Sequence, residues 1–302
     1  MSVVLRALGC EHALGDAPWL MGIVNATPDS FSDGGRHPTL EARVELARRL
    51  AGAGARVLDV GGESGVTNRP AIAADEEIER VAPLIARIRA ELDVLVSVDT
   101  YKPAVADAAI TAGAAIVNDV SGLHDPGLAD VCARTGAALV LMHTAAAPKQ
   151  RLQDPDLYGD VVEDVMAFLR ERIALARARG VAREQLIVDP GPDFTKTPAQ
   201  TIELLRGAAR LHELDRPVLM ALSRKDFVGA LTGRRPGARG AGTLAAIAHG
   251  VELGAQIFRV HDVEAAADYL AVRAAQRGDV QVPRELRLAD ELRWEQPLHE
   301  LE

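Results

Sequence analysis

Residues 21–35 read MGIVNATPDSFSDGG. The stretch opens as an apolar run and breaks at Asn25 into a polar loop with one Pro, two Asp, three Ser or Thr and a closing Gly-Gly. An apolar run delivered into a polar loop is the pattern of a buried parallel strand that presents chemistry at its carboxyl end. Working outward, the same pattern predicts strands at 20–25, 57–61, 94–99, 115–119, 138–143, 186–189, 218–223 and 257–261. Helical periodicity fills the gaps between them. In residues 75–92, Ile78, Val81, Leu84, Ile85 and Ile88 recur at helical spacing. Residues 161–179 form another such stretch, closed by Gly180 at the position of a helix C-cap. Eight strands alternating with helices predict an α/β fold, a single (β/α)8 TIM barrel rather than an open doubly wound sheet.

The 302 residues accommodate one such barrel, which typically needs about 250. The reading places the barrel in residues 1–276, with a short lead-in over 1–18. A charged tail follows over 277–302, with a short helix expected around 287–294. At 48% hydrophobic but only 3% aromatic residues, the core must be built from Ala, Val and Leu. A net charge of −9, from 34 basic and 43 acidic residues, argues against nucleic acid or an anionic membrane as partner. The two cysteines, Cys10 and Cys132, make no disulfide framework and suit a reducing cytosol. With no signal-peptide pattern and no membrane-length apolar run, a cytoplasmic protein is expected.

A barrel gathers the carboxyl ends of its strands onto one face, where its active site normally lies. The predicted strand ends are polar throughout. They carry Asn25, Asp29 and Asp33; Glu63 and Ser64; Asp99 and Thr100; Asn118 and Asp119; His143; Asp189; Ser223, Arg224 and Lys225; and Arg259 and His261. Asp99, Asn118 and Asp189 form a polar trio suited to a heterocycle, since a carboxylate accepts two parallel N–H bonds and an amide both donates and accepts. The alternative for Asp99 and Asp189 is to cap the helices that follow. Arg259 and His261, two residues apart on one strand, face the same way and suit an anion such as diphosphate. The competing reading is an ion pair between Arg259 and Asp262. Lys225 is placed to meet a ring carbonyl or an incoming substrate. Asn25 is a plausible oxygen ligand for Mg2+, which takes few protein ligands. His143 reads equally as a satisfied polar residue. Neither zinc-ligand spacing nor a phosphate-binding glycine loop is present.

Taken together, MGIVNATPDSFSDGG, VLDVGGES, SVDTYKPAV, IVNDVSG, DPGPDFTKT, LSRKDFVG and RVHDV resemble the signatures of dihydropteroate synthases, over most of residues 20–265. The resemblance implies a (β/α)8 barrel, usually a homodimer. It also implies condensation of 6-hydroxymethyl-7,8-dihydropterin diphosphate with 4-aminobenzoate, with Mg2+ assisting release of diphosphate. Carried over, Asp99, Asn118, Asp189 and Lys225 would hold the pterin, and Asn25, Arg259 and His261 the diphosphate and metal. The loop with Phe31 and Asp33 would close over the site. Thr67, Arg69 and Phe194 would lie on the aminobenzoate side. Three departures fall on that side: a second loop three residues longer at 65–71, Pro192-Asp193-Phe194-Thr195 after the sixth strand, and Asp226 where a non-acidic residue is common. They predict weak saturation by 4-aminobenzoate and poor inhibition by sulfonamides. Two other readings compete: a paralogue that binds pterin diphosphate without this condensation, and a pterin-dependent methyltransferase.

Overall fold

The structure, a computed structural model, describes residues 3–15, 17–27, 39–64 and 70–294. It opens with an antiparallel hairpin, β1 (Val3–Ala7) and β2 (Cys10–Leu14). Leu8 and Gly9 turn between them at φ 50 and 78, the paired left-handed geometry that matches the twist of a two-residue hairpin loop. Eight parallel strands follow: β3 (Trp19–Asn25), β4 (Val57–Gly61), β5 (Leu95–Asp99), β6 (Ile116–Asp119), β7 (Ala138–Met142), β8 (Leu186–Asp189), β9 (Leu219–Met220) and β10 (Ile257–Val260). Their order is β8-β7-β6-β5-β4-β3-β10-β9. A single bridge between Val188 and Val218 joins the two ends, with Val188 N–H donating to Pro217 O at 2.9 Å. The expected (β/α)8 barrel is therefore present.

The helices are α1 (Leu40–Gly52), α2 (Ala74–Glu91), α3 (Pro103–Thr111), α4 (Gly127–Thr135), α5 (Val161–Ala178), α6 (Pro198–Gly207), α7 (Asp226–Thr232), α8 (Gly240–Glu252) and α9 (Val263–Arg277). Several begin on local signals. Asp160 accepts from Val162 and Glu163 N–H at α5, and Thr197 and Gln200 form a reciprocal box at α6. No helix among the described residues is long and apolar enough to cross a membrane. The helix expected near residue 287 is only a 3-10 turn, Asp290–Leu292, in an exposed tail.

Two apolar clusters result. One fills the space between strands and helices. The other lies inside the barrel at the amino ends of its strands, where Met21, Val57, Ile116, Ile187, Leu219 and Ile257 meet Leu5, Ala7 and Leu14 of the hairpin. The lead-in is thus a plug for the closed end of the barrel. Leu5→Ala is expected to cost about 2–5 kcal/mol, because a wholly buried leucine would leave a cavity. Urea unfolding measures it, and an unchanged midpoint would show that the hairpin does not contribute to the core. Above the apolar layer the interior becomes polar, and that change of character locates the site.

β9 is shorter than the expected 218–223. Pro217 has no N–H to donate, and Val218 N–H is taken by the Gln256 side chain at 2.7 Å rather than by a neighbouring strand.

Candidate active site

Strand alternation turns Asp59, Asp99, Asn118, Asp189 and Arg259 into the barrel. Arg259 is the hub. Its Nε donates to Asp59 Oδ2 at 2.6 Å and its NH2 to Asp99 Oδ2 at 2.8 Å. Asn118 Nδ2 donates to the same Asp59 oxygen at 3.0 Å. Asp262 caps α9 through Ala265 N–H, so the alternative pairing for Arg259 does not form. Nor do Asp99 and Asp189 cap helices, since α3 is preceded by Lys102 and α6 by Thr197.

Asp59 escaped the sequence reading. The signal was a lone carboxylate in an otherwise apolar strand, VLDVG, which in a buried setting demands a cationic partner. Its Oδ1 is buried with no hydrogen-bond partner among the described residues, as is Ser97 Oγ opposite it across β4 and β5.

Burial raises the Asp99 carboxyl, Arg259 pulls it back and Asp59 pushes it up again, leaving it at about 7. Burial likewise raises Asp189, to about 6, against the Gly191 N–H and the charges of Lys225, Lys196 and Arg259. Asp189 accepts that N–H at 2.7 Å. Gly191 sits at φ 64, and a Cβ there would fall 2.1 Å from His143 O; this position requires glycine.

Lys225 half emerges at the mouth, its Nζ 4.2 Å from the centre of the Phe194 ring. Burial lowers the lysine, and Asp193 and Asp189 work against that. His261 stands at the end of β10, its Nδ1 3.0 Å from Ser223 Oγ. Burial, then the positive charges of Arg259, Arg224 and Lys225, hold its imidazole below the ordinary value. The ring is therefore neutral at pH 7. Asn25 is exposed at the end of β3. Asn25 Oδ1 and Asp99 Oδ2 both border the space over Gly61, each 3.9 Å from where a Cβ would sit.

Two predicted features have a structural explanation. His143, wholly inside, rests on Phe168 and lies 2.8 Å from Lys196 Nζ. Lys196, unread in the sequence, is itself fully buried and also donates to Gly191 O and Phe194 O. This pair anchors the β8–α6 loop. Asp226 bonds Arg239 at 3.0 Å, and the same guanidinium holds Arg224 O and Lys225 O. The charge of Asp226, one of the three departures on the aminobenzoate side, is thereby offset by a cation.

Below the second loop, Glu63 meets Lys102 at 2.5 Å and Lys149 at 2.9 Å. Burial would raise Glu63, but these lysines prevail and hold it low. Asp29, Phe31, Asp33, Thr67 and Arg69 lie outside the described residues.

A family profile described as "Pterin binding enzyme" matches residues 21–261. The dihydropteroate synthase of Escherichia coli is 39% identical over 255 residues, covering 84% of this chain and 90% of that protein. The chain belongs to the dihydropteroate synthases. A probable bifunctional folylpolyglutamate synthase/dihydropteroate synthase of Haloferax volcanii is 46% identical over 82% of this chain, which spans 30% of that longer protein. Among solved structures, the dihydropteroate synthase of Xanthomonas albilineans with 4-aminobenzoic acid superimposes with a TM-score of 0.84. It is 45% identical, over 94% of this chain and all of that one.

Proposed function

We propose that this dihydropteroate synthase joins the methylene carbon of 6-hydroxymethyl-7,8-dihydropterin diphosphate to the amine of 4-aminobenzoate, with loss of diphosphate. The observation that carries the reading is the Asp59–Arg259–Asp99 cluster with Asn118, Asp189 and Lys225 around it, at the mouth of a family-matched barrel. Asp189, Asn118 and Asp99 take the donors along the pterin edge, and Lys225 a ring carbonyl. Arg259 lies beneath the ring, held in place by two carboxylates. Arg259 and His261 face the departing diphosphate, the guanidinium as a cation and the neutral imidazole as a ring N–H donor. The arylamine is itself the nucleophile, so no activated serine or cysteine is required.

The exposed oxygen donor Asn25 beside Gly61 suits a hard cation that takes few protein ligands. Mg2+ held there with substrate oxygens would neutralise charge on the leaving group. By the family resemblance, Phe31 and Asp33 would shield the methylene from water, and Thr67, Arg69 and Phe194 would receive the aminobenzoate. A homodimer in the cytoplasm is the expected setting.

Turnover of purified protein with pterin diphosphate and 4-aminobenzoate tests the reading, and absence of dihydropteroate refutes it. With Asp226 paired to Arg239, the segment Pro192-Asp193-Phe194-Thr195 and the longer loop at 65–71 are the remaining grounds for weak aminobenzoate saturation and poor sulfonamide inhibition. Steady-state KM before and after shortening that loop separates a functional change from a harmless insertion.

The raised Asp189 predicts a pH dependence. Only the ionised carboxylate accepts two ring N–H bonds. Between pH 7 and pH 5, affinity for a bare dihydropterin should fall at least about tenfold as Asp189 protonates near 6, with Asp99, at about 7 on the same edge, protonating ahead of it. Calorimetry across that range checks it. A flat profile would remove Asp189 from the pterin edge.

A further inference from the structure

Between β8 and α6 the chain takes three left-handed residues in alternation, Gly191 at φ 64, Asp193 at 66 and Thr195 at 52. Two of them are not glycine, and such positions persist only where the surroundings over-determine them. Thr195 is tied to Ala145 N–H and lies 3.0 Å from the Tyr158 hydroxyl. Asp193 is fixed differently, and its bonds lead to the active-site lysine. Its carboxylate accepts Phe227 N–H at 3.3 and 3.2 Å. Buried Thr201 donates its hydroxyl to Asp193 Oδ1 and accepts Asp193 N–H, each at 3.2 Å.

Phe227 is the second residue of α7, and Lys225 immediately precedes that helix without offering a side-chain cap. The carboxylate of a distant loop therefore serves the first turn of the helix that presents Lys225. The next residue in that loop, Phe194, lies under the Lys225 ammonium. Consecutive residues of one loop thus grip both sides of the lysine: Phe194 its head, Asp193 the backbone two residues on.

We propose that Asp193 is a positioning residue for the transfer reaction, fixing Lys225 over Phe194 by holding the first turn of the helix that presents it. The proposal rests on the reading that Lys225 contacts substrate. The charged groups facing Lys225 are Asp193 and Asp189 on one side of the balance and Arg259 and the buried Lys196 on the other, with Asp226 contributing from α7. Asp226 is already paired with Arg239. Asp189 belongs to the pterin edge, which leaves Asp193 as the counter-charge not committed to substrate.

The test compares Asp193→Asn, Asp193→Gly, Lys225→Gln and the double variant Asp193→Asn/Lys225→Gln in the full chain. Asn keeps the shape and an acceptor for Phe227 N–H while removing the charge. Gly also relieves the left-handed backbone. For both Asp193 variants kcat is expected to fall about tenfold, the scale of a one-unit change in an ionisation or a modest loss of alignment. The alkaline limb of the kcat profile should move to lower pH, because the lysine loses its proton more readily. In the Lys225→Gln background, Asp193→Asn should add less than about twofold.

Folded Asp193 variants with ordinary kcat and an unmoved alkaline limb would overturn the proposal. Full additivity in the double variant would also overturn it, by showing that Asp193 does not act through Lys225. Should Asp193→Gly not fold, the near-isosteric Asn variant still decides. If Lys225→Gln itself has ordinary kinetics, the assignment of Lys225 fails; if Lys225→Gln is impaired and the Asp193 variants are not, only the present proposal fails.

Discussion

Arg259→Met is expected to destabilise the fold by about 3–5 kcal/mol near neutral pH, because it strands two inward-facing carboxylates around a vacated hub. The guanidinium is the only side chain among the described residues that bonds both Asp59 and Asp99. The loss should be pH-dependent, with a definite sign. Asp99 binds its proton more tightly folded than unfolded, its folded value being about 7 against an ordinary value of about 4. Its stabilising contribution is complete below pH 4 and is lost as pH rises through 7. Without Arg259 the folded value rises further, so the variant should recover towards the parent as pH falls from 8 to 5. Urea denaturation at several pH values measures this. Adding Asp59→Asn should restore part of the loss at neutral pH. An Arg259→Met protein with unchanged stability at pH 8 would mean that the cluster carries no net burden of charge.

Asp189→Asn should leave the fold intact and weaken dihydropterin binding by about 2–4 kcal/mol, some 30-fold to 1000-fold. The amide keeps one acceptor and puts an N–H where the ring also offers one. Its other tie, to Gly191 N–H, survives in the orientation that keeps the amide oxygen on the loop. Calorimetry with a dihydropterin, alongside a thermal melt to verify folding, is the measurement. Unchanged affinity in a folded variant would move the pterin edge away from β8. Together with Arg259→Met, the result separates two uses of charge in the same cavity: one group that holds the barrel's interior together and one reserved for ligand.

The sequence made the barrel legible because its strands are apolar runs with polar ends, a pattern set by local chemistry. It left the hairpin unread although Leu8-Gly9 is a two-residue turn between paired five-residue strands; the hairpin is recognisable chiefly by what it covers. Strand ends told which residues face the mouth. They could not tell who bonds whom across the cavity, and so Asp59 went unread and the pairing of Arg259 with Asp99 was not foreseen. The partner of Asp226 went unseen for the same reason: Arg239, thirteen residues away, comes back over α7 at Gly229, where a Cβ would collide with it. Lys196 was invisible because nothing local marks a lysine destined for full burial beside a histidine. Non-local charge pairing is the common element in what was missed.

The seam between β8 and β9 bears on how the empty and filled enzyme differ. Elsewhere each strand is laced to its neighbours by a ladder of two to five residue pairs, whereas here one bridge joins Val188 to Val218. Amide protons of Val188 and of residues 218–222 should therefore exchange with solvent sooner than those of β4 and β5, because few bonds need break for the edges to part. Asp189 and Lys225 stand on opposite sides of this gap, just above it. A ring gripped by both would act as an added rung between two strands that the backbone barely connects, and slowed exchange along the seam would register that closure before any chemistry occurs.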